Sequence, residues 1–222
     1  MGNSYRQQKR WLKRYCRAKG ILRRKGFSTL REKWGKQAQA MWRDVCKLNR
    51  VTVTKQPTGA NINLIRPFRV RLRKRIEMEL GTKEWPPSSN WGEVRKYLSA
   101  AGIRYPAPYC ASFVTYCVKK AGWEHSLPSA LAWVPSWDAW AKSKGYEVAK
   151  LKARKADLAS FNWDSDAASE HIGFILHNYG LYKQVATIEG NATSAAAPGG
   201  GVVKKWRRWD QVNHVYRLPN DW

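Results

Sequence analysis

The chain has 222 residues, 43% of them hydrophobic and 13% aromatic, and this composition excludes a wholly disordered protein. Its formal net charge of +25 at pH 7 points to anionic partners. The four cysteines form no C-x-x-C pair and no zinc-ligand spacing, which argues against a disulfide scaffold and a structural metal.

The N-terminal sequence, MGNSYRQQKRWLKRYCRAKG, is positively charged but lacks the apolar core of a secretory signal. No apolar run in the chain is long enough to cross a bilayer. We therefore expect no transmembrane segment, and we expect synthesis in the cytoplasm without export by that route.

The positive charge is concentrated at the N-terminus. Residues 1–66 contain 18 lysines and arginines against Glu32 and Asp44, a net charge of +16, whereas residues 67–222 have a net charge of +9. We predict a basic helical arm with its linker over residues 1–66 and a separate domain over residues 67–222, with the boundary near Arg66–Pro67.

Two helices are predicted in the arm. The first is a cationic helix with one apolar stripe, which consists of Trp11, Tyr15, Ala18 and Leu22. A capping-box pattern, Thr29 with Glu32, opens the second helix, which extends to about Leu48. The segment VTVTKQPTGANINLIRPF then predicts a short strand and a linker.

The second domain begins with helices. The sequence VRLRKRIEMELGTKEWPPSSNWGEVRKYLSAAGI predicts two helices separated by a turn, and PAPYCASFVTYCVKKAGW predicts a third. A further helix in SALAWVPSWDAWAKSKG places Trp133, Trp137 and Trp140 on one face, which we interpret as core packing.

After Gly145 the hydrophobic pattern changes to short strand-like runs. They are ADLASFNW, HIGFILHN, YKQVATIEG, GVVKKWRRW and VNHVYRL, with a hairpin turn at Asn178-Tyr179-Gly180. We interpret NATSAAAPGGG as a flexible loop. Helices followed by an antiparallel sheet of about five strands predict an α+β fold.

The helix that begins near Cys110 carries two thiols. Cys110 and Cys117 would lie roughly 10 Å apart along a helix axis, which is too far for a disulfide. Cys110 falls in the first turn, where unpaired amides and the helix dipole stabilise a thiolate and could bind an oxyanion. It is therefore either a nucleophile or a small buried hydrophobe, whereas Cys117 lies in the apolar row and is expected in the core.

A cysteine nucleophile needs a histidine base and a group that orients the histidine. His171 opens an alternating strand in which Gly173 shares its face and leaves room for another element. On the next strand Glu189 and Asn191 share one face, and antiparallel pairing would bring them within reach of His171 Nδ1. Taken alone, Glu189 could equally be a solvated surface acid. The other histidines are expected to be bystanders: His125, His177 and His214.

Taken together, YCASFVTYCVKKAG, ADLASF, HIGFIL and TIEGN resemble the CHAP family, the cysteine- and histidine-dependent amidohydrolases/peptidases of phage lysins and bacterial wall enzymes. The resemblance runs from about Val70 to Leu218 and implies a papain-like fold. It also implies Cys110 as nucleophile, His171 as base, Glu189 as the orienting group and Asn191 as a supporting polar group.

The sequence departs from the family pattern at two places. Ala156 stands where the family has a glycine before Asp-Leu, so the turn there could differ. Some members bind calcium through aspartates upstream of the cysteine, but SAAGIRYPAPYC has no carboxylate, so we expect no metal and no cofactor. A second oxyanion donor is not identified, with Tyr105 and Tyr109 as candidates.

The resemblance implies a peptidoglycan hydrolase of phage lysin type, an N-acetylmuramoyl-L-alanine amidase or a peptide endopeptidase. Its action at the bacterial wall would follow release through a membrane pore or delivery with a virion. The alternative is a nucleic-acid-associated structural virion protein whose CHAP-like domain is inactive or used only at entry. Residues 1–66 could bind DNA or other virion proteins, disrupt a lipopolysaccharide membrane, or merely adsorb to anionic wall polymer.

Overall fold

The structure, a computed structural model, describes residues 5–19, 36–49, 51–54, 57, 62, 65–164 and 168–220. Within these residues six α-helices precede five β-strands, which confirms the α+β fold class. The helices are α1 (Tyr5–Ala18), α2 (Lys36–Leu48), α3 (Phe68–Glu79), α4 (Arg95–Ala100), α5 (Cys110–Lys120) and α6 (Val134–Ser143). The strands are β1 (Leu158–Phe161), β2 (His171–Tyr179), β3 (Gln184–Ser194), β4 (Ala197–Arg208) and β5 (Val212–Tyr216).

The chain forms two compact units, one of Met1–Arg71 with Asn220–Trp222 and the other of Leu72–Pro219. Helix α3 begins in the first unit and ends in the second. The predicted domain boundary near Arg66–Pro67 stays a prediction. No helix among the described residues is both long and apolar enough to span a bilayer.

The first unit has an apolar core of its own between α1 and α2. Trp11, Tyr15 and Trp42 are buried there. The burial of Trp11 and Tyr15 agrees with the apolar stripe predicted for the first helix. Ala18 is exposed, because Leu12 and Cys16 widen the buried face toward the other side of α1. The first helix is thus amphipathic, with its apolar face packed within its own unit.

The structure differs from the prediction in the segment that follows α2. Residues 51–54 form no strand, because hydrogen bonds hold them against α2: Val51 N donates to Cys46 O at 3.0 Å, and Trp42 Nε1 donates to Thr54 Oγ1 at 3.1 Å. Leu22 and the capping box of Thr29 and Glu32 lie outside the described residues.

The sheet has the strand order β4-β3-β2-β1-β5, and every neighbouring pair is antiparallel. All five strand-like runs of the sequence are strands in it. On β2, His171 pairs with Phe161 of β1, while Phe174 pairs with Ile188 of β3. The start of β2 therefore lies beside the end of β3.

The prediction of a flexible loop at NATSAAAPGGG was wrong. Residues 191–194 end β3 and residues 197–201 begin β4, with Ala192 paired to Gly201 and Ser194 to Ala197. The glycines serve close packing here: Gly201 bridges to Lys83, and a Cβ on Gly199 would overlap Pro87. The glycine run therefore lets β4 lie against the segment that follows α3.

The tryptophan stripe is only partly in the core. Trp137 of α6 is fully buried and contacts Trp140 edge-to-face at 5.4 Å, as core packing predicts. Trp133 precedes the helix as its N-cap residue and is 61% exposed, because its extended backbone turns the side chain away from the α6 stripe.

The turn before β1 keeps the left-handed backbone that suits a glycine, although alanine occupies it. Ala156 has a φ of +68°, and its N–H donates to Ile175 O at 2.8 Å. The next residue, Asp157, is fully buried and accepts hydrogen bonds from Arg217 Nη2 at 2.8 Å and Arg154 N at 2.7 Å. The Asp157 carboxylate therefore joins the residue that follows β5, Arg217, to the start of β1.

Helix α5 packs directly on the sheet. Phe113 meets Phe174 of β2 edge-to-face, with ring centroids 5.7 Å apart. A Cβ on Gly190 of β3 would lie 2.7 Å from Phe113 Cβ, closer than carbon atoms can approach without displacement. Glycine at 190 therefore sets how near α5 lies to β3.

We predict that Gly190→Ala destabilises the protein by roughly 1–3 kcal/mol, the usual cost of forcing an extra methyl into a packed core. Denaturant unfolding would measure the change in the free energy of unfolding. Gly180→Ala is the matched control, since the nearest atom to its added Cβ would be 3.4 Å away. Equal stability of the two variants would contradict the packing described here.

Candidate active site

Cys110 is the first residue of α5 and is 6% exposed. Tyr109 precedes it as the N-cap residue, and no side chain in the described part of the chain caps this end of α5. The first-turn amides and the positive end of the helix dipole are therefore at the end of α5 where Cys110 lies.

His171 lies at the start of β2 and is 12% exposed on its side chain. It is hydrogen-bonded to Cys110, and its Nε2 lies 3.0 Å from Glu189 Oε2. The structure thus brings three of the predicted site residues into one hydrogen-bonded series. With Nε2 directed at Glu189, Nδ1 is the ring nitrogen left for Cys110.

The prediction that Glu189 reaches His171 Nδ1 was wrong about the atom. Because Phe174 pairs with Ile188, the ladder places Glu189 beside Gly173, two residues along from His171. The imidazole must extend along the strand to meet the carboxylate, and its far nitrogen, Nε2, makes the contact.

Gly173 provides the room for this contact, as the sequence predicted. A Cβ at 173 would lie 2.7 Å from Glu189 Cγ and 2.9 Å from Ile188 O. The glycine in His-x-Gly therefore leaves space beside β2 for the Glu189 side chain.

Glu189 is fully buried and is surrounded by hydrogen-bond donors. Arg207 donates from Nε to Oε1 at 2.9 Å and from Nη2 to Oε2 at 2.6 Å. Thr187 Oγ1 donates to Oε1 at 2.6 Å. This burial excludes the alternative interpretation of Glu189 as a solvated surface acid.

Arg207 was missed in the sequence. In the sequence KKWRRW the two-residue alternation predicts a strand but does not identify a partner for Arg207. The strand register is needed to show that β4 runs antiparallel beside β3, with Glu189 opposite Val203. The Arg207 guanidinium also lies over two aromatic rings, 4.7 Å from the Trp163 centroid and 5.5 Å from that of Phe161. Those rings stack at 5.4 Å, and Phe161 lies 5.8 Å from the His171 ring.

The environment separates the protonation states of the two partners. Burial works against ionisation of Glu189, but hydrogen bonds from Arg207 and His171 outweigh it and lower its pKa to about 2. Burial likewise disfavours the charged form of His171, yet the hydrogen bonds and charges of Cys110 and Glu189 raise its pKa to about 9. At neutral pH the site therefore holds a carboxylate and an imidazolium.

Asn191 is placed near the site by its backbone. It has a left-handed φ of +57° beside a register shift in the β3–β4 pairing, and its backbone is hydrogen-bonded to the Tyr109 hydroxyl. That hydroxyl also donates to Glu84 Oε1 at 3.0 Å, so it is engaged away from an oxyanion. A supporting role for the Asn191 side chain stays a prediction, and exposed Tyr105 is left as the tyrosine candidate for a second oxyanion donor.

The other thiol and the other histidines are engaged elsewhere. Cys117 is fully buried, and burial raises the pKa of its thiol well above the usual value. His125 contacts Trp123, His177 contacts Tyr179, and His214 Nδ1 lies 2.7 Å from Glu147 Oε1. Within the described ranges, no three His, Cys, Asp or Glu side chains are grouped so that they could hold a metal ion.

A helix with a cysteine at its N-terminus, packed on an antiparallel sheet that carries the histidine, defines the papain-like class of fold. Residues 100–191 match the family model of the CHAP domain. A search of curated proteins found no match. The CHAP domain implies an amidase or peptidase activity, and the matched segment contains Cys110, His171, Glu189 and Asn191.

We predict that folding stability depends on pH through His171. Its pKa is raised on folding from 6.5 to about 9, so its contribution is fully present below pH 6.5 and is lost as the pH rises through about 9. Thermal unfolding between those pH values should show a decline in the melting temperature that His171→Gln largely removes. Parallel pH profiles for the two proteins would contradict the prediction.

Proposed function

We propose that the protein is a peptidoglycan hydrolase of phage lysin type, an N-acetylmuramoyl-L-alanine amidase or a peptide endopeptidase. The observation that carries the proposal is the hydrogen-bonded series from Cys110 through His171 to Glu189 inside a CHAP domain. Its substrate partner would be bacterial peptidoglycan, reached after release through a membrane pore or on a virion.

In the proposed mechanism the Cys110 thiolate attacks the carbonyl carbon of an amide bond, and a C–S bond forms. The first-turn amides of α5 stabilise the oxyanion. His171 gives its Nδ1 proton to the leaving nitrogen as the C–N bond breaks, which leaves a thioester.

Hydrolysis of the thioester then uses the same groups. Neutral His171 removes a proton from water, the resulting oxygen attacks the thioester carbonyl, and the C–S bond breaks. The acid is released, the thiolate returns, and the proton stays on His171. Glu189 accepts from Nε2–H throughout and keeps Nδ1 directed at the reacting atoms.

Cys110 and Cys117 provide a direct test. We expect Cys110→Ala and Cys110→Ser to abolish cleavage of purified peptidoglycan, because they remove the thiolate. Cys117→Ala should retain cleavage and lose about 1 kcal/mol of stability, since it removes a buried sulfur remote from the series. Mass analysis of the released fragments, with EDTA present, would also identify the bond. Cleavage by folded Cys110→Ala would remove the mechanism.

The basic arm is proposed to attach the enzyme to an anionic surface. On α1 the side chains of Arg10, Arg14 and Arg17 are exposed, while the apolar face is buried within its own unit. Burial of that face favours adsorption through charge over insertion into a membrane. Wall polymer, lipopolysaccharide and DNA all offer the required phosphate or carboxylate groups.

The second candidate function is a nucleic-acid-associated structural virion protein, with a CHAP-like domain that is inactive or used only at entry. It is favoured by the net charge of +16 on residues 1–66, together with interleaved aromatic residues such as Trp11 and Tyr15. The two candidates differ in the ligand that the arm prefers.

A protein that begins at Pro67 should cleave soluble wall fragments about as well as the full chain, because all proposed catalytic residues follow that position. It should bind whole cells and duplex DNA far less, with the loss greatest at low salt. Binding measured over roughly a tenfold salt range separates the candidates: stronger binding to DNA than to wall polymer favours the virion role. Loss of cleavage or folding on truncation would place the arm within the catalytic domain.

A further inference from the structure

Arg207 has a place in the active site that the sequence motifs do not include. We propose that it is a positioning residue: its guanidinium clamps both oxygens of Glu189, so that one oxygen is held on His171 Nε2 and the imidazole is kept aligned with Cys110. The inference rests on the proposed function for the roles of those three residues. Arg207 lies beyond the segment 100–191 that matches the family model.

The contacts show how the clamp acts. Glu189 Oε2 lies 3.0 Å from His171 Nε2 and 2.6 Å from Arg207 Nη2, so the same oxygen contacts both bases. Oε1 accepts from Arg207 Nε at 2.9 Å and from Thr187 Oγ1 at 2.6 Å. Two parallel N–H···O bonds fix the rotation of the carboxylate, which one hydrogen bond from His171 would leave free.

Burial makes a second cation necessary. Glu189 has 0% exposed side chain, and an isolated carboxylate in such a place would be neutralised by a proton. During the proposed reaction His171 loses its positive charge when it protonates the leaving nitrogen. Arg207 keeps a permanent charge next to Glu189 at that stage, so the carboxylate stays ionised and in place.

Aromatic rings hold Arg207 in turn. The guanidinium lies 4.7 Å from the Trp163 centroid, and the Trp163 and Phe161 rings are inclined by only 8° to each other. These rings restrict the movement of the guanidinium. The side chain of Arg207 is 18% exposed, much less than the 70% of its neighbour Arg208, which pairs with Asp210.

The test compares Arg207→Met, Arg207→Lys and the control Arg208→Met on purified peptidoglycan. Arg207→Met should lower kcat by about 100-fold, the effect of a small misalignment of reacting groups. KM should change little, because a positioning residue acts through Glu189 and not on the substrate. Arg207→Lys, which retains the charge but not the fork, should recover part of kcat. Arg208→Met should behave as the wild type.

A double-mutant cycle shows whether Arg207 acts through Glu189. In a Glu189→Gln background, Arg207→Met should cause no further loss of kcat, and the double variant also avoids a buried carboxylate without a cation. A loss that adds to that of Glu189→Gln, or an unchanged kcat in Arg207→Met, would overturn the proposal.

Alkylation of Cys110 by iodoacetamide at about pH 6 gives a readout that needs no substrate, since an unassisted thiol is almost fully protonated there. In the wild type, fast alkylation that His171→Ala abolishes would establish the Cys110–His171 pair even if peptidoglycan were not cleaved. Arg207→Met should then slow alkylation as much as Glu189→Gln does. Equal rates in Arg207→Met and the wild type would overturn the positioning role.

Discussion

The candidate active site depends on one buried charge, the Glu189 carboxylate. A carboxylate without solvent is costly unless every oxygen is paired, and here His171, Arg207 and Thr187 supply the donors. Each donor comes from the sheet, on β2, β4 and β3. The charge is therefore satisfied only when the three strands hold their observed register, and the orientation of His171 follows from that register.

The short motifs of the sequence can be explained by close packing around this charge. Gly173 leaves space beside β2 for the Glu189 side chain, and Gly190 lets Phe113 of α5 lie on the sheet. A side chain at position 173 would overlap Glu189, and one at position 190 would overlap Phe113. Ala156 shows the converse case, since its backbone keeps the left-handed φ of +68° without a glycine. The turn there is fixed by hydrogen bonding to Ile175 and by the neighbouring Asp157.

Alternation and helix-end signals were enough to predict all five strands and the cysteine helix, because these depend on local residue patterns. Features set by contacts between distant segments were not predictable. The composition of the glycine run that ends at Gly201 is typical of a loop, and the pairing of Gly201 with Lys83 is not visible in the sequence. Arg207 could not be assigned to Glu189 without the β3–β4 register, and the choice of Nε2 over Nδ1 depended on an offset of two residues between paired strands.

Three consecutive residues of β3 determine the relation between the cysteine helix and the histidine strand. Glu189 binds His171, Gly190 seats α5 through Phe113, and the Asn191 backbone is hydrogen-bonded to Tyr109, the residue before Cys110. A slip of β3 by one residue would turn Glu189 to the opposite face and remove all three contacts together. The position of Cys110 relative to the His171 imidazole therefore depends on the register of the sheet, because α5 and β2 both contact β3.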